Sequence, residues 1–270
     1  MTCSCGAHHH PSLHRHNTAA GKPMTLAQPM FGLSGRLICD NTLDMMTALN
    51  LLPKHVALSR DEPGCLRFDI RQDEDPLIWH LFELFVNADA FAAHQARNKA
   101  SEWGQASTGI ARDFDRAEVQ PVIRPEEAHD ADAIDALLQA AFNGPDEAQL
   151  VRKLRADKDL AHSFVVDAQG AILGHIALSP LHADAPAFAL APLAVHPKAQ
   201  RLGIGQALIR AAIEAAQGAP IVVLGDPDYY SRTGFRATDL QSPYAGPYLQ
   251  ILGNLPQGSG IRHAPAFSDL

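Results

Sequence analysis

The sequence predicts an α+β protein made of two folded units behind a polar leader. Its 270 residues are 46% hydrophobic and 19% charged, enough apolar material to bury one large core or two small ones. From residue 31 onward, short segments with the alternation of β-strands are interleaved with segments that carry the apolar spacing of helices. We expect the leader to cover 1–29, the first unit 30–120 and the second unit 121–270.

The composition excludes several classes of protein. The 22 Lys and Arg residues are outnumbered by 30 Asp and Glu residues, and neither half carries a basic stripe, which excludes a general nucleic-acid binder. No run approaches about 18 uninterrupted apolar residues, so no membrane span is expected. Residues 1–16 lack the apolar core of a secretory signal, and four cysteines are too few for a disulfide framework in this chain. We therefore expect a cytoplasmic protein.

The leader is rich in potential metal ligands. Its thiol and imidazole side chains belong to Cys3, Cys5, His8, His9, His10, His14 and His16. These groups bind soft and borderline metal ions, but the spacing Cys-Ser-Cys-x2-His-His-His matches no closed structural zinc site. We favour a disordered leader that binds metal only adventitiously, so that no metal is required. A functional metal site is the alternative.

The first unit shows the element order βαββαβ of a ferredoxin-like fold. Apolar residues alternate or dominate at 31–39, 66–70, 77–86 and 112–119, which predicts four strands. The first helix is expected to be capped by Thr42 or Asp44 and to kink or divide at Pro53. Its predicted buried face consists of Leu43, Met46, Leu49, Leu52 and Val56. Asn87 is the expected cap of the second helix.

Two stretches of this unit carry a family resemblance. The run EPGCLRFDI at 62–70 and the run DPLIWHLFELFVNADAFAAHQAR at 75–97 resemble the antibiotic biosynthesis monooxygenase (ABM) family, and the similarity covers most of 31–117. The resemblance implies a dimeric α+β barrel with a pocket between sheet and helices. It also implies, for some members, oxidation of quinols or polyphenols without a cofactor. Such chemistry leaves little sequence trace, because the protein need only orient and desolvate the substrate.

Three residues are candidates for the N-terminal pocket. His94 is a possible general base because its pKa lies near neutrality, although a histidine packed in the pocket wall is the favoured interpretation. Trp79 and Trp103 are more typical of core or pocket wall than of substrate stacking. His94 stands where the haem-degrading branch has a Trp, and no matching His follows it, so haem degradation is not expected.

The second unit contains a glycine loop between a strand and a helix. Strands are predicted at 122–124, 163–166, 171–179, 187–195 and 221–224, and helices at 132–142, 146–160 and 206–216. In Gln200-x-x-Gly203-x-Gly205, the glycines allow a pyrophosphate to approach the backbone and the helix that follows directs free N–H groups at it. The pattern is neither the dinucleotide fingerprint nor a P-loop.

A second motif follows the strand at 221–224. Asp226 and Pro227 predict the start of a short helix, and Gly234 predicts its end. The pair QRLGIG at 200–205 and YSRTGF at 230–235 resembles the GNAT N-acetyltransferase family. The run LGDPDYYSRTGF, with PLAVHP before it, resembles its YhbS-like branch. The resemblance covers about 121–262 and implies a mixed sheet that splays at its fourth strand.

The resemblance also implies site residues. Acetyl-CoA would be held at Leu193, Ala194, Val195, Gln200, Arg201, Leu202, Gly203, Ile204, Gly205 and Gln206. Tyr230 would protonate the leaving thiolate, since a phenol of pKa about 10 is a reasonable acid for a thiolate of pKa about 8.5. A packing role is the alternative for Tyr230. Tyr229 is expected to point elsewhere.

The two motifs of the second unit supply no general base. Glu147, His182 and Asp184 are candidates, and for each a solvated surface role is favoured. Tyr244 and Tyr248 either shape the acceptor side or cover a sheet edge.

We therefore expect an N-acetyltransferase that moves an acetyl group from acetyl-CoA to a small-molecule or peptide amine by direct attack. The ABM-like unit would make it a homodimer or bind a small molecule. The alternatives are a bifunctional protein whose N-terminal unit is a cofactor-independent monooxygenase, and a non-catalytic acyl-CoA-binding module.

Overall fold

The computed structural model describes residues 21–256 and 258–269, so the predicted leader over 1–20 lies outside the described residues. The strands are β1 (Lys22–Pro23), β2 (Met30–Ile38), β3 (Cys65–Gln72), β4 (Ile78–Phe85), β5 (Ala111–Val119), β6 (Val122–Pro125), β7 (His162–Ala168), β8 (Ala171–Leu181), β9 (Ala187–Val195), β10 (Ile221–Leu224), β11 (Arg236–Ala237) and β12 (Leu249–Leu252). The α-helices are α1 (Thr42–Asp61), α2 (Ala88–Ala100), α3 (Glu102–Ala106), α4 (Ala131–Phe142), α5 (Asp146–Ala156), α6 (Ile204–Ala215) and α7 (Pro227–Tyr230). In the described part of the chain, no helix is long and apolar enough to cross a membrane.

The N-terminal unit has the predicted ferredoxin-like topology. Its antiparallel sheet, which we call the N-terminal sheet, has the order β3-β4-β2-β5. The helices cover one face, where Leu52 of α1 and Phe91 of α2 are buried among residues of the sheet such as Leu37 and Phe85. The βαββαβ order therefore closes a core between one sheet face and its helices.

Helix α1 begins and continues differently from the prediction. Its N-cap is Asn41, whose Oδ1 accepts hydrogen bonds from the N–H groups of Leu43 and Asp44 at 2.9 and 3.1 Å. The helix runs through Pro53 as a single element of 20 residues instead of dividing there. Asn is as good a cap as Asp or Ser, and Asn41 lies one residue before the predicted cap Thr42 and three before the alternative Asp44.

The predicted buried face of α1 is largely wrong. Leu43 is 77% exposed, and Met46 and Leu49 are also exposed. The buried residues of the helix are Ala48, Leu52, His55 and Ser59. Two of these are polar, and Arg97 contacts both. The inward face of α1 therefore combines apolar residues with polar ones that have a partner on α2.

The second sheet, which we call the C-terminal sheet, has the order β1-β6-β7-β8-β9-β10-β12-β11 in the described residues. Helices α4 and α5 pack on one face and α6 on the other, because the adjacent β7 residues Val165 and Val166 belong to separate clusters. Strand β1 pairs with β6, and Met24 is buried. The leader predicted over 1–29 is therefore wrong for 22–24, whose backbone extends the C-terminal sheet.

The two units share one buried apolar cluster. Met30, Leu84 and Val119 of the N-terminal sheet lie in the same cluster as Val166 and Ala168 of the C-terminal sheet. This contact covers one end of the face of the N-terminal sheet opposite its helices, because even-numbered residues of β2 and β4 share that face. The units are therefore joined by packing as well as by the chain.

Replacing Leu84, which is fully buried in the shared cluster, should destabilise the protein. We expect Leu84→Ala to lower the free energy of unfolding by about 2–5 kcal/mol, through lost apolar burial and a cavity. The control is Leu43→Ala at the 77% exposed position, expected to change it by about 0.5 kcal/mol or less. Urea unfolding measures both, and equal effects would contradict the shared core.

Candidate functional site

Strands β9 and β10 separate in the middle of the C-terminal sheet. Their parallel pairing runs only from Phe188↔Ile221 to Leu190↔Val223. At this point the register of β9 against β8 shifts, with two residues of β9 opposite Ala177. An extra residue of this kind bends its strand, so β9 turns away from β10 and opens a slot between them.

The unpaired edge of β9 faces this slot. The N–H of His196 donates to the carbonyl of Leu173 at 2.9 Å, which defines a hydrogen-bonded pair with β8. Hydrogen-bonded and non-bonded pairs alternate along an antiparallel ladder. The backbone groups of Ala194 are therefore directed at β8, and those of Leu193 and Val195 at the slot. Among the predicted site residues, these two supply free backbone donors and acceptors.

The glycine loop lies where the edge of β9 ends. Arg201 and Gly203 adopt left-handed backbone conformations, with φ of 65° and 87°. A Cβ placed on Gly203 would meet nothing within 4 Å, so the space beside it is open. Helix α6 starts directly afterwards at Ile204, whose side chain is buried in the core. The first N–H groups of α6 have no partner within the helix, and they carry its positive dipole end. An anion would be stabilised here.

Tyr229 contacts this loop, contrary to the expectation that it points elsewhere. Its hydroxyl oxygen lies 2.1 Å from the position that a Cβ on Gly205 would take. Gln206 donates its side-chain amide to the carbonyl of Tyr229 at 3.4 Å. Burial raises the pKa of the Tyr229 phenol. Gly205 is thus required by a neighbouring side chain as well as by any ligand.

Tyr230 is the last residue of α7, the short helix that follows β10. Asp226 caps this short helix by accepting from the N–H of Asp228 at 2.9 Å, and Gly234 follows its end with φ of 91°. The Tyr230 ring is buried, and it lies 2.4 Å from the position of a Cβ on Gly225. Burial raises the pKa of Tyr230 above its usual range. The phenol therefore stays protonated at neutral pH.

The three candidate bases lie at or near the surface. His182 and Asp184 are exposed, and Asp184 accepts from the Ser259 hydroxyl at 2.8 Å. Glu147 is half-buried on α5. None of these contacts selects one of them as a base.

The two tyrosines of the predicted acceptor segment differ in position. The carbonyl of Tyr248 accepts from the N–H of Gly225 at 3.0 Å, which places it beside the end of β10. Its side chain is 59% exposed, and that of Leu224 is 54% exposed. The Tyr244 hydroxyl instead donates to the carbonyl of Phe267 at 3.3 Å. Tyr248 is therefore the closer of the two to the mouth of the slot.

A second site lies in the N-terminal unit, between its sheet and helices. The cavity measures about 70 Å³. Of the three residues predicted for this pocket, Trp103 lines it. His94 lies behind Glu83, with its Nε2 atom 3.7 Å from the Glu83 Oε2 atom. Trp79 packs in the cluster that contains Leu37 and Leu52.

The cavity contains polar groups that sequence patterns did not indicate. Glu83 is 3% exposed, and burial raises its pKa to about 8. The Oε2 atom of Glu83 and the Oδ1 atom of Asn98 are buried without a hydrogen-bond partner in the described residues. Burial lowers the pKa of His55 to about 3. Burial also lowers the pKa of His94, although its hydrogen bond to the Glu62 carboxylate opposes this.

Within the residues described, no group of three or more His, Cys, Asp or Glu side chains is placed to hold a metal ion.

Comparison with known families matches both units. Residues 131–231 match the Acetyltransferase (GNAT) family, and residues 47–106 match the Antibiotic biosynthesis monooxygenase family. The slot, the glycine loop and Tyr230 all lie in or at the end of the first match. The cavity is lined partly by residues of the second match, among them Glu83 and Trp103.

Relatives of the C-terminal unit include two Escherichia coli proteins. "Uncharacterized N-acetyltransferase YhbS" is 38% identical over 121 residues, which cover 42% of this chain and 72% of the relative. "Uncharacterized N-acetyltransferase YjhQ" is 36% identical over 129 residues, covering 44% and 71%. The crystal structure of Escherichia coli YhbS in complex with CoA superimposes with a TM-score of 0.52 at 29% identity. It covers 56% of this chain and 94% of that one. The chain belongs to the GNAT acetyltransferase family through its C-terminal unit, and its N-terminal half carries an antibiotic biosynthesis monooxygenase domain.

Proposed function

We propose that the C-terminal unit transfers an acetyl group from acetyl-CoA to an amine. The observation that carries this proposal is the slot between β9 and β10, with the open loop at Gly203 where β9 ends and the helix of Tyr230 following β10 in the chain. A slot with free backbone groups along one side and a helix N-terminus at its end fits an extended amide chain that terminates in a pyrophosphate. The relationship to YhbS, whose structure holds CoA, supports the same assignment.

The backbone would bind most of acetyl-CoA. The backbone groups of Leu193 and Val195 would form hydrogen bonds with the pantetheine amides, as a neighbouring strand does. Ala194, whose backbone groups are directed at β8, would hold these two residues against that strand. The N–H groups of the loop would hold the pyrophosphate, and the exposed Arg201 would add a positive charge. The other loop residues, which contribute through their backbone, are Gln200, Leu202, Gly203, Ile204, Gly205 and Gln206.

Tyr230 would act as the general acid. A neutral amine attacks the thioester carbonyl, and the tetrahedral intermediate collapses with cleavage of the C–S bond. The released thiolate takes a proton from the phenol, and the proton that the amine nitrogen loses returns through solvent to the phenolate, so that the products are the N-acetyl amide and CoA. A tyrosine is protonated at neutral pH at its ordinary pKa of about 10, and burial raises the pKa of Tyr230 further. We assign no general base among Glu147, His182 and Asp184. We further propose that Tyr248 borders the acceptor amine, and that the enzyme is a cytoplasmic homodimer.

A charge at the glycine loop should abolish binding of acetyl-CoA. Like charges about 4 Å apart repel by up to about 4 kcal/mol near a protein surface, so Gly203→Glu should weaken binding by about 100-fold or more. The control is Gly218→Glu, because Gly218 follows the opposite end of α6 with the same φ of 87° and the same open space. Calorimetric titration measures both. Equal affinities in the two variants would contradict the proposed loop.

Loss of the Tyr230 hydroxyl should slow turnover more than it weakens binding. We expect Tyr230→Phe to lower kcat by about 10²–10⁴-fold, the usual range for a general acid, while acetyl-CoA affinity changes by less than about threefold. Tyr244→Phe is the control. A thiol-release assay with an accepted amine measures kcat. Equal loss of turnover and binding would rule out Tyr230 as the acid, and CoA binding without turnover on any amine would favour a non-catalytic module.

We propose, as a second candidate function, that the N-terminal cavity binds a small hydroxylated aromatic molecule and oxidises it without a cofactor. The observation in favour is the pair of unpartnered oxygens on Glu83 and Asn98 in a cavity with aromatic walls. A protonated Glu83 can donate to a ligand oxygen, and Asn98 can accept from a hydroxyl. Oxygen uptake with quinols, reduced in Glu83→Gln, would support this function. A flat trace across a broad panel of quinols and polyphenols would count against it.

The buried Glu83 should also make stability depend on pH. Its pKa rises from 4.5 to about 8 on folding, so its favourable contribution is complete below pH 4.5 and is lost as the pH rises through 8. The free energy of unfolding of the unaltered protein should therefore fall relative to Glu83→Gln between pH 5 and pH 8. Urea unfolding across this range, with the exposed Glu118→Gln as control, tests it. A difference that stays constant with pH would contradict a neutral buried Glu83.

A further inference from the structure

A lysine beside the glycine loop reaches into the other unit. Lys198 lies in the 3₁₀ turn Pro197–Ala199, which directly precedes the loop. Its Nζ donates to the backbone carbonyls of Arg60 and Glu62, the latter at 3.0 Å. These carbonyls belong to the last turn and the C-cap of α1. A cation at the C-terminus of a helix is favoured by the helix dipole. The N-terminal unit thus holds the segment that leads into the loop.

The segment is also fixed from the side of the C-terminal sheet. The Lys198 N–H donates to the Nδ1 atom of His196 at 3.2 Å, and Ala199 is fully buried in the shared cluster. Gln200 follows at once, and Gly203 lies only five residues beyond Lys198. The chain between Lys198 and Gly203 is short and turned. A displacement of Lys198 therefore also displaces the N–H groups in the first turn of α6. The position of the loop therefore depends on both units.

Glu62 connects this contact to the N-terminal cavity. While its carbonyl accepts from Lys198, its carboxylate accepts from Arg97 Nε at 2.6 Å and contacts His94 Nδ1 at 2.9 Å. Arg97 also donates to the Ser59 hydroxyl at 2.7 Å. His94 in turn packs behind Glu83 in the cavity wall. Glu62 therefore contacts Lys198 through its backbone carbonyl and His94, which lies behind the cavity, through its carboxylate.

We propose that the N-terminal unit sets the affinity of the C-terminal unit for acetyl-CoA, with Lys198 as the positioning residue and the Glu62–Arg97 pair as its support. This inference rests on the proposed acetyl-CoA function. Lys198 has no need to touch the ligand, because it acts by fixing the backbone that does. Coupling of this kind changes binding by about 5- to 150-fold in proteins.

The first test is calorimetric titration of the full chain with acetyl-CoA. Lys198→Met should weaken binding by about tenfold, and Lys198→Arg, which keeps a cation with several donors, should retain affinity within about threefold. Lys99→Met, at an exposed lysine of α2, should change nothing. Circular dichroism at the titration temperature should show Lys198→Met as fully folded as Lys99→Met, which separates a loop effect from unfolding. Unchanged affinity in Lys198→Met would overturn the proposal.

The second test combines two variants in a thermodynamic cycle. Arg97→Met should weaken acetyl-CoA binding in the same direction, although Arg97 belongs to the other unit. The double variant should bind within about twofold of Lys198→Met, since both changes release the same segment. Glu62→Gln provides a second route to the same result if Arg97→Met folds poorly. Effects that multiply would overturn the link through Glu62. If the unaltered chain binds no acetyl-CoA, the proposed function itself fails, which is a distinct result.

Discussion

The arrangement of the candidate site in the C-terminal unit depends on the separation of β9 from β10. Backbone groups in a sheet interior must find partners, yet Leu193 and Val195 direct theirs into a slot. The bulge opposite Ala177 creates this arrangement by bending β9. The loop around Gly203 then places the start of α6 at the end of the same edge. The irregularity in β9 is thus followed in the chain by free backbone groups at the slot and then by the N-terminus of α6.

The N-terminal unit contributes to this arrangement rather than standing apart. Its sheet supplies Met30 and Leu84 to the cluster that also buries Ile204, the first residue of α6. Lys198 adds a polar contact from the loop side to the end of α1. The shared cluster therefore joins the start of α6 to one face of the N-terminal sheet, whereas the cavity lies on the opposite face of that sheet, against the helices.

Local sequence patterns predicted most elements and the turn before α6, because neighbouring residues determine strands, caps and glycine turns. The strand at Ala187–Val195 and the glycine at 203 are of this kind. Sequence patterns failed where a residue distant in the chain affects which side chains are buried. Helix α1 buries His55 rather than Leu43, and the Arg97 side chain that contacts His55 lies 42 residues further along the chain. The same holds for Glu83 and Lys198, whose roles depend on tertiary contacts that alternation and spacing do not encode.

Hydrogen exchange at the edge of β9 tests the central claim most directly. The amides of Leu193 and Val195 face the slot, whereas that of Ala194 is paired with β8 and should already be protected. We predict that acetyl-CoA slows exchange at Leu193 and Val195, and at the first amides of α6, while Ala194 changes little. Protection that develops elsewhere, with these amides unchanged, would show that the slot between β9 and β10 is not the acyl-CoA site.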